Sequence, residues 1–568
     1  MKRFSALLSV ILFFAGAAFA AEPHEVYAKN GMVSAAHELA SKAGVEIMQK
    51  GGNAIDAAVA TALALNVVEP NASGIGGGGF TTIRFAKTGE VVCLDYREVA
   101  PSSSTRDMYA SEQSKKEKWT MDGGKAVGVP GWLAGMWYML RTYGTMSFAE
   151  VAAPAIRLAE EGFELHPMQN QIIVDDFARL TKYNNPDSLA FLVENLPMEA
   201  GKTLKQPELA RTFRTIAAEG PAAFYEGPIA QAVVDAVNAN GGSMTLADLK
   251  NYKMETRAPM SGTYRGYKLY SPPPASSGGT HIVQLLNMLE NFDMRAMGHN
   301  SPKAMHIMAE AMKLMFADRG QYMADTAFTD VPLSGLASKA YAKTLADKIN
   351  PYVVAEDVPA GDPWPFGAQK KALYTGGMGS ERISTSSFCV VDAEGNIVAS
   401  TNTVNYFFGS GIIVPGYGFV LNNEMDDFSQ NPDSVNAPEP GKRPLSSMSP
   451  TVVLDPAGRP FMAIGAAGAT RILTTIAEII MNVVDYDMEM DQAIEQPRIH
   501  NQVSGGKAGK FMVEPHMPED LIMYMKLRGF DVQEGVHIGT AQGILFDHKK
   551  GVMNGGADSR RLGVPVGY

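Results

Sequence analysis

Thr385-Ser386-Ser387-Phe388-Cys389-Val390-Val391 is followed by the polar run Asp392-Ala393-Glu394-Gly395-Asn396 and then by Ile397-Val398-Ala399-Ser400-Thr401-Asn402-Thr403-Val404-Asn405. Two runs rich in β-branched residues around a polar turn predict a β-hairpin. Pairing Val391 with Ile397 sets Thr385 opposite Thr403, to within a residue. Side-chain alternation puts Thr401, Thr403 and Asn405 on one face. A hydroxyl thus stands at the head of a strand with a second hydroxyl beside it. On geometry alone, the ordinary preference of Thr for strands is the better explanation.

What precedes the hairpin sharpens the reading. Residues 350–383 are rich in Gly, Pro and polar side chains and close with Gly379-Ser380-Glu381-Arg382, which reads as the most exposed linker in the chain. A Thr hydroxyl is a poor nucleophile until a base takes its proton. A cut between Ser384 and Thr385 would free an α-amino group with a reference pKa of roughly 7.7–8.0 on the same residue as the hydroxyl. Nucleophile and base would then need no third side chain.

Downstream, Thr451 to Asp455 and Phe461 to Gly465 predict a second hairpin around Pro456-Ala457-Gly458. It runs through Gly465-Ala466-Ala467-Gly468-Ala469 into a helix from about Thr470. Backbone N–H groups at such a helix start favour negative charge and suit an oxyanion, although an ordinary strand-to-helix turn reads the same way. Three segments look costly for a purely structural role: Asp95-Tyr96-Arg97-Glu98, Asn422 to Asp427, and Pro444 to Pro450 with its hydroxyls. Singly each is explained by a surface ion pair, a turn or a loop. Together they offer a cation and hydroxyls for a carboxylate, and acids for an ammonium.

Upstream, Ser34 to Asn66 has helical periodicity, broken at Gly51-Gly52, with Asn53 and Asp56 spaced as the cap of a second helix. Gly74 to Gly79 matches GxGxxG but follows a helix and opens a strand, the reverse of a dinucleotide site, so it reads as a close-packed turn. Strands are expected at Phe80 to Phe85 and Val91 to Tyr96. Helices and loops should fill much of 130–350.

The 568 residues carry a net charge of -11, spread along the chain, which argues against a nucleic-acid surface. Lys2-Arg3, the apolar Ala6 to Ala17 and Ala18-Phe19-Ala20 have the layout of a cleavable secretory signal over residues 1–20. No other apolar run is long enough to span a bilayer, so a secreted or periplasmic protein without a membrane span is expected. Cys93 and Cys389 read as small buried residues in strands. The ten histidines show no ligand spacing, so no metal and no cofactor are expected.

Gly51-Gly52-Asn53-Ala54-Ile55-Asp56-Ala57, the glycine run, Arg97, the threonine hairpin, Asn422 to Asp427 and Pro444 to Pro450 occur in an order that resembles the γ-glutamyltransferases (γ-glutamyltranspeptidases) over essentially the whole mature length. The resemblance implies an α+β, αββα N-terminal-nucleophile hydrolase of two stacked antiparallel sheets between helical layers. It implies a precursor that cuts itself into residues 21–384 and 385–568, which remain together as a heterodimer. Thr385 would be the nucleophile for both reactions, Thr403 its hydroxyl partner, and Gly468 and Ala469 the oxyanion-hole amides. Arg97, Ser446 and Ser447 would hold the substrate α-carboxylate, and Asn405, Glu424 and Asp427 its α-ammonium. Substrates would be γ-glutamyl amides such as glutathione and its conjugates, with water or an amino-acid or peptide amine as acceptor. Three departures stand out: Ala469 where the family has a second Gly, Ser386-Ser387 where it often has His after the nucleophile's neighbour, and a short Ser429 to Gly441 stretch. The last predicts a more open site that admits bulkier leaving groups.

Overall fold

The computed structural model describes residues 26–367 and 384–568. The signal reading at 1–20 and residues 368–383 of the linker before Ser384 lie outside the described residues.

Alternation does what the hairpin pattern requires. Ser386–Val391 pairs antiparallel with Ile397–Thr403 with Val391 opposite Ile397 and Ser386 opposite Asn402, so the next step out sets Thr385 against Thr403. Cys389, Val391, Ile397 and Ala399 join one apolar layer with Val452, Ala463 and Ile544, while Phe388, Val390 and Val398 join another with helical residues. A strand buried on both faces must sit in the middle of layers.

Among the described residues there are two seven-stranded antiparallel sheets. One runs, edge to edge, Val564–Gly567, Met32–Ala35, Ser386–Val391, Ile397–Thr403, Gly78–Arg84, Val91–Asp95, Glu255–Arg257. The other runs Val26–Ala28, Val552–Ala557, Thr540–Asp547, Pro460–Ala467, Thr451–Leu454, Tyr267–Ser271, Met260–Tyr264. The sheets face each other through Ser386–Val391 and Ile397–Thr403 against Pro460–Ala467. Helices Glu38–Gln49 and Ala54–Val68 cover the first sheet; Gly278–Leu289 and Arg471–Tyr486 cover the second. This is the expected α+β sandwich. Each sheet contains strands from both sides of Ser384.

Every residue of Ala54–Val68 is buried, and its many alanines let it lie close on the hairpin strands. Asn53 and Asp56 form the expected capping box. The Asp56 carboxylate, fully buried, also accepts from the Thr145 and Met146 N–H groups and the Thr145 hydroxyl. Asp56→Ala removes one half of the capping box and orphans several buried donors, so a loss of about 3 kcal/mol is expected in urea unfolding. A change below about 1 kcal/mol would show that these bonds contribute little.

The glycine run is the close-packed turn foreseen. A Cβ on Gly76 would lie 2.1 Å from the Val420 carbonyl oxygen and one on Gly77 2.0 Å from that of Thr403. Cys93 and Cys389 are both free, buried and in strands.

Candidate active site

The hairpin register delivers the two threonines to each other: Thr385 Oγ1 and Thr403 Oγ1 are 2.9 Å apart. Thr403 Oγ1 accepts from the Asn405 N–H at 2.8 Å, which fixes its orientation. Asn405 has φ 75 and its side-chain amide donates to the Asn423 carbonyl. Thr385 itself sits at φ 85. A β-branched residue in that region is strained by roughly 1–3 kcal/mol and persists only where neighbours hold it.

One cleft gathers Thr385, Thr403, Asn405, Arg97, Glu424, Asp427, Ser446, Ser447 and Ala469, with only about 40 Å³ of enclosed space. Gly468 is not in its lining but precedes Ala469 in the same turn. Arg97 follows the strand Val91–Asp95 and is fully buried, so it is not a surface ion pair. Its guanidinium donates to Glu424 and Asp427 by separate nitrogens, and its Nε donates to the Pro444 carbonyl at 3.1 Å. Glu98 lies 3.7 Å from the same guanidinium. Burial raises the Glu98, Glu424 and Asp427 carboxyls above the usual range, and Arg97 opposes that shift. Both Glu98 oxygens and Glu424 Oε2 lack a hydrogen-bond partner among the described residues. Two buried acids and the partly exposed Asp427 thus face one guanidinium, and burial favours the neutral form of the least supported, Glu98.

The run 422–427 divides into scaffold and site. Asn422 bonds Gly76, Gly128 and Glu424 backbone groups, Asn423 bonds Met121 and Tyr406, and Asp426 accepts from the Tyr406 hydroxyl. Only Glu424 and Asp427 reach Arg97. Ser446 Oγ accepts from the Met448 N–H, and Ser447 Oγ from Arg319 Nη2 at 2.9 Å.

Gly468 and Ala469 leave the strand Pro460–Ala467 at φ 140 and φ 55 and lead into Arg471–Tyr486. Their N–H groups are engaged by no backbone carbonyl among the described residues. Ala469 adopts the left-handed conformation despite its Cβ, at a cost of about 1 kcal/mol relative to Gly.

Among known proteins, a family described as gamma-glutamyltranspeptidase matches residues 40–568. The chain belongs to the gamma-glutamyltranspeptidase family. It is an enzyme of the N-terminal-nucleophile hydrolase class. It is 40% identical to the glutathione hydrolase proenzyme of Escherichia coli (strain K12), across 98% of this chain and 97% of that one. It is also 38% identical to the acylase ACY 1 proenzyme of Pseudomonas sp. (strain V22), across 96% and 95%. The solved cephalosporin acylase of Bacillus halodurans shares its fold at TM-score 0.86 and 28% identity, covering 98% of this chain and 99% of that one. Relatives named glutathione hydrolase and acylase thus lie at similar distance from this chain, and the side chains in the cleft must discriminate.

Three groups around this transpeptidase cleft escape sequence reading. Arg319, buried within the helix Pro302–Tyr322, adds a second cation to the lining and holds Ser277 Oγ as well as Ser447. Arg561 donates from Nη1 to the carbonyl of Thr385. Glu69, which accepts from Ser386 Oγ at 2.6 Å, lies 3.9 Å from Arg561. Neither Arg319 nor Arg561 carries a motif; each is brought in by tertiary packing alone. Among the described residues no group of acids, His and Cys could hold a metal ion, and no helix is long and apolar enough to cross a membrane.

Proposed function

We propose that this protein is an exported γ-glutamyltransferase and glutathione hydrolase that cuts itself between Ser384 and Thr385. The single observation that carries the reading is the Thr385–Thr403 hydroxyl pair opening into the cleft that holds Arg97, Glu424 and Asp427. The strain at Thr385 supports the cut, because cleaving the Ser384–Thr385 bond removes the carbonyl that defines its φ.

Chemistry follows from the freed amine. It takes the Thr385 Oγ1 proton as the oxygen attacks the γ-carbonyl carbon. The Gly468 and Ala469 N–H groups receive the developing oxyanion. Collapse breaks the C–N bond, the leaving amine takes the proton back from the Thr385 ammonium, and a γ-glutamyl ester remains. Water then yields glutamate; the amine of an amino acid or peptide yields the transfer product. Neither half-reaction calls for a metal or cofactor. Arg97, with Ser446 and Ser447, fits the donor's α-carboxylate; Asp427, Glu424 and Asn405 fit its α-ammonium. Arg97 pairs with Glu424 and Asp427, and a zwitterionic head group can replace that pairing with charges of its own. Residues 21–384 and 385–568 would form one heterodimer, exported by virtue of the signal over 1–20.

A glutaryl acylase is the second reading, favoured by the 38% identity to an acylase. A glutaryl group has the carboxylate but no ammonium, which would leave Glu424 and Asp427 unanswered. On 4-nitroanilides, kcat/KM for γ-glutamyl over glutaryl should exceed about 100-fold, or about 2.7 kcal/mol. Equal rates would replace the first reading with the second. The Ser429–Gly441 segment bears on leaving-group size. It is held compactly, with Asn436 Nδ2 donating to the Asp427 carbonyl and Arg106 to Pro432, Ser434 and Glu439. Short γ-linked peptides should therefore be cleaved within about ten-fold of glutathione. Their strong exclusion would show the cleft is closed.

A further inference from the structure

A second cavity, of about 320 Å³, has no residue in common with the catalytic cleft. Met168, Ile172, Phe407 and Leu562 give it an apolar wall, and Arg561 and Thr540 are among its polar lining residues. Arg561 and Thr540 are each more than nine-tenths buried, with exposures of 7% and 5%. Both hold an unmet atom: Arg561 Nη2 and Thr540 Oγ1 have no hydrogen-bond partner among the described residues. A buried guanidinium nitrogen with nothing to donate to costs of the order of a hydrogen bond or more. Glu69, also in the lining, does not satisfy it, because its Oε2 is taken by Ser386 and it stays 3.9 Å from Arg561. Arg560 is a different case, already paired with Glu514 and Asp558. A donor pair beside an apolar wall is the complement of a carboxylate on a short hydrophobic body.

The cavity also touches the reaction centre from behind its lining. Arg561 uses its other nitrogen to hold the Thr385 carbonyl. Gly539, in the cavity wall, packs on the oxyanion turn so closely that a Cβ on Gly468 would come within 2.8 Å of its Cα. A ligand that engages Arg561 or displaces Gly539 is therefore felt at the nucleophile and at the oxyanion donors. We propose that this cavity is a second ligand site, taking a small monocarboxylic acid with a short apolar body, and that its occupancy slows attack by Thr385 without competing with the donor.

The probe is 3-phenylpropionate, with neutral 3-phenylpropanamide as its control, titrated calorimetrically into the mature enzyme. The acid should bind with Kd below about 1 mM and the amide at least about ten-fold more weakly. Thr540→Val and Arg561→Gln should each weaken the acid by about ten-fold or more. Ile172→Trp, which fills the cavity from its apolar wall, should abolish binding while leaving turnover of a γ-glutamyl nitroanilide intact, and it guards against an Arg561 variant that fails to fold. Arg97→Gln, which removes the cation of the catalytic cleft, should still bind the acid. No binding up to about 10 mM, or undiminished binding to Ile172→Trp and Thr540→Val, overturns the site. So does binding that disappears in Arg97→Gln, which would place the acid in the catalytic cleft. In steady-state kinetics the acid should lower kcat with KM unchanged, and a competitive pattern overturns the coupling. The kinetic arm rests on the γ-glutamyl reading above, whereas the calorimetric arm stands without it.

Discussion

Thr385→Ala is expected to accumulate as one uncut chain with no measurable turnover of γ-glutamyl substrates. The hydroxyl that attacks the Ser384 carbonyl and the hydroxyl that attacks the substrate are the same atom, so one substitution removes both steps. Activity should fall by at least about four orders of magnitude, as when a covalent nucleophile is deleted elsewhere. Thr385→Ser keeps oxygen and amine and should retain part of both functions. Denaturing electrophoresis and an intact mass spectrum read the outcome directly. Two chains of normal mass from Thr385→Ala would remove Thr385 from the mechanism, however well its hydroxyl faces Thr403.

Asp427→Ala should have the next largest effect, and an opposite pattern. Its carboxylate pairs with the buried Arg97 guanidinium and lines the cleft, yet it is not among the groups that hold Thr385. Truncating one member of a desolvated charge pair costs about 2–5 kcal/mol. That corresponds to a fall of about thirty-fold to several thousand-fold in kcat/KM for γ-glutamyl donors. Self-cleavage should continue at a near-normal rate, because it needs no ammonium pocket. Equal loss of processing and turnover would mean that Asp427 is structural. The sign of the pH effect is also set. Burial raises the Asp427 and Glu424 carboxyls, and only their ionised forms hold an ammonium. In the unsubstituted enzyme kcat/KM should therefore fall with acidification at a pH above the ordinary carboxylate range. Asp427→Ala should alter that limb.

Local rules read the hairpin, the caps and the strand-to-helix turn well, because each is decided by residues adjacent in sequence. The Val391–Ile397 register is the plainest case: two short strands and a five-residue turn leave few alternatives, and the threonine pair follows from it. The edge strands Glu255–Arg257 and Met260–Tyr264 were hidden inside a region that reads as helix and loop. Their half-exposed residues, with Gly262 in the middle, give no clean alternation, and the sheets recruit them through pairing rather than propensity. In the cleft, motif order pointed to Arg97, Glu424 and Asp427 but not to their direct contact, since more than three hundred residues of chain separate them. Arg319 and Arg561 were silent for the same reason: an arginine's partners are fixed by the folded neighbourhood, not by what precedes it in sequence.

The sharing of both sheets by strands from before and after Ser384 has a physical outcome for the processed protein. Met32–Ala35 is clasped between Val564–Gly567 and Ser386–Val391, and Ile397–Thr403 is bonded to Gly78–Arg84. Severing one peptide bond therefore releases nothing, since neither polypeptide can slide away without tearing ladder hydrogen bonds in both sheets. Once melted, however, the two pieces meet again only by bimolecular encounter, with no tether to set their register. Heating should thus inactivate the mature form irreversibly, while an uncut variant such as Thr385→Ala can still refold as a single strand of polymer.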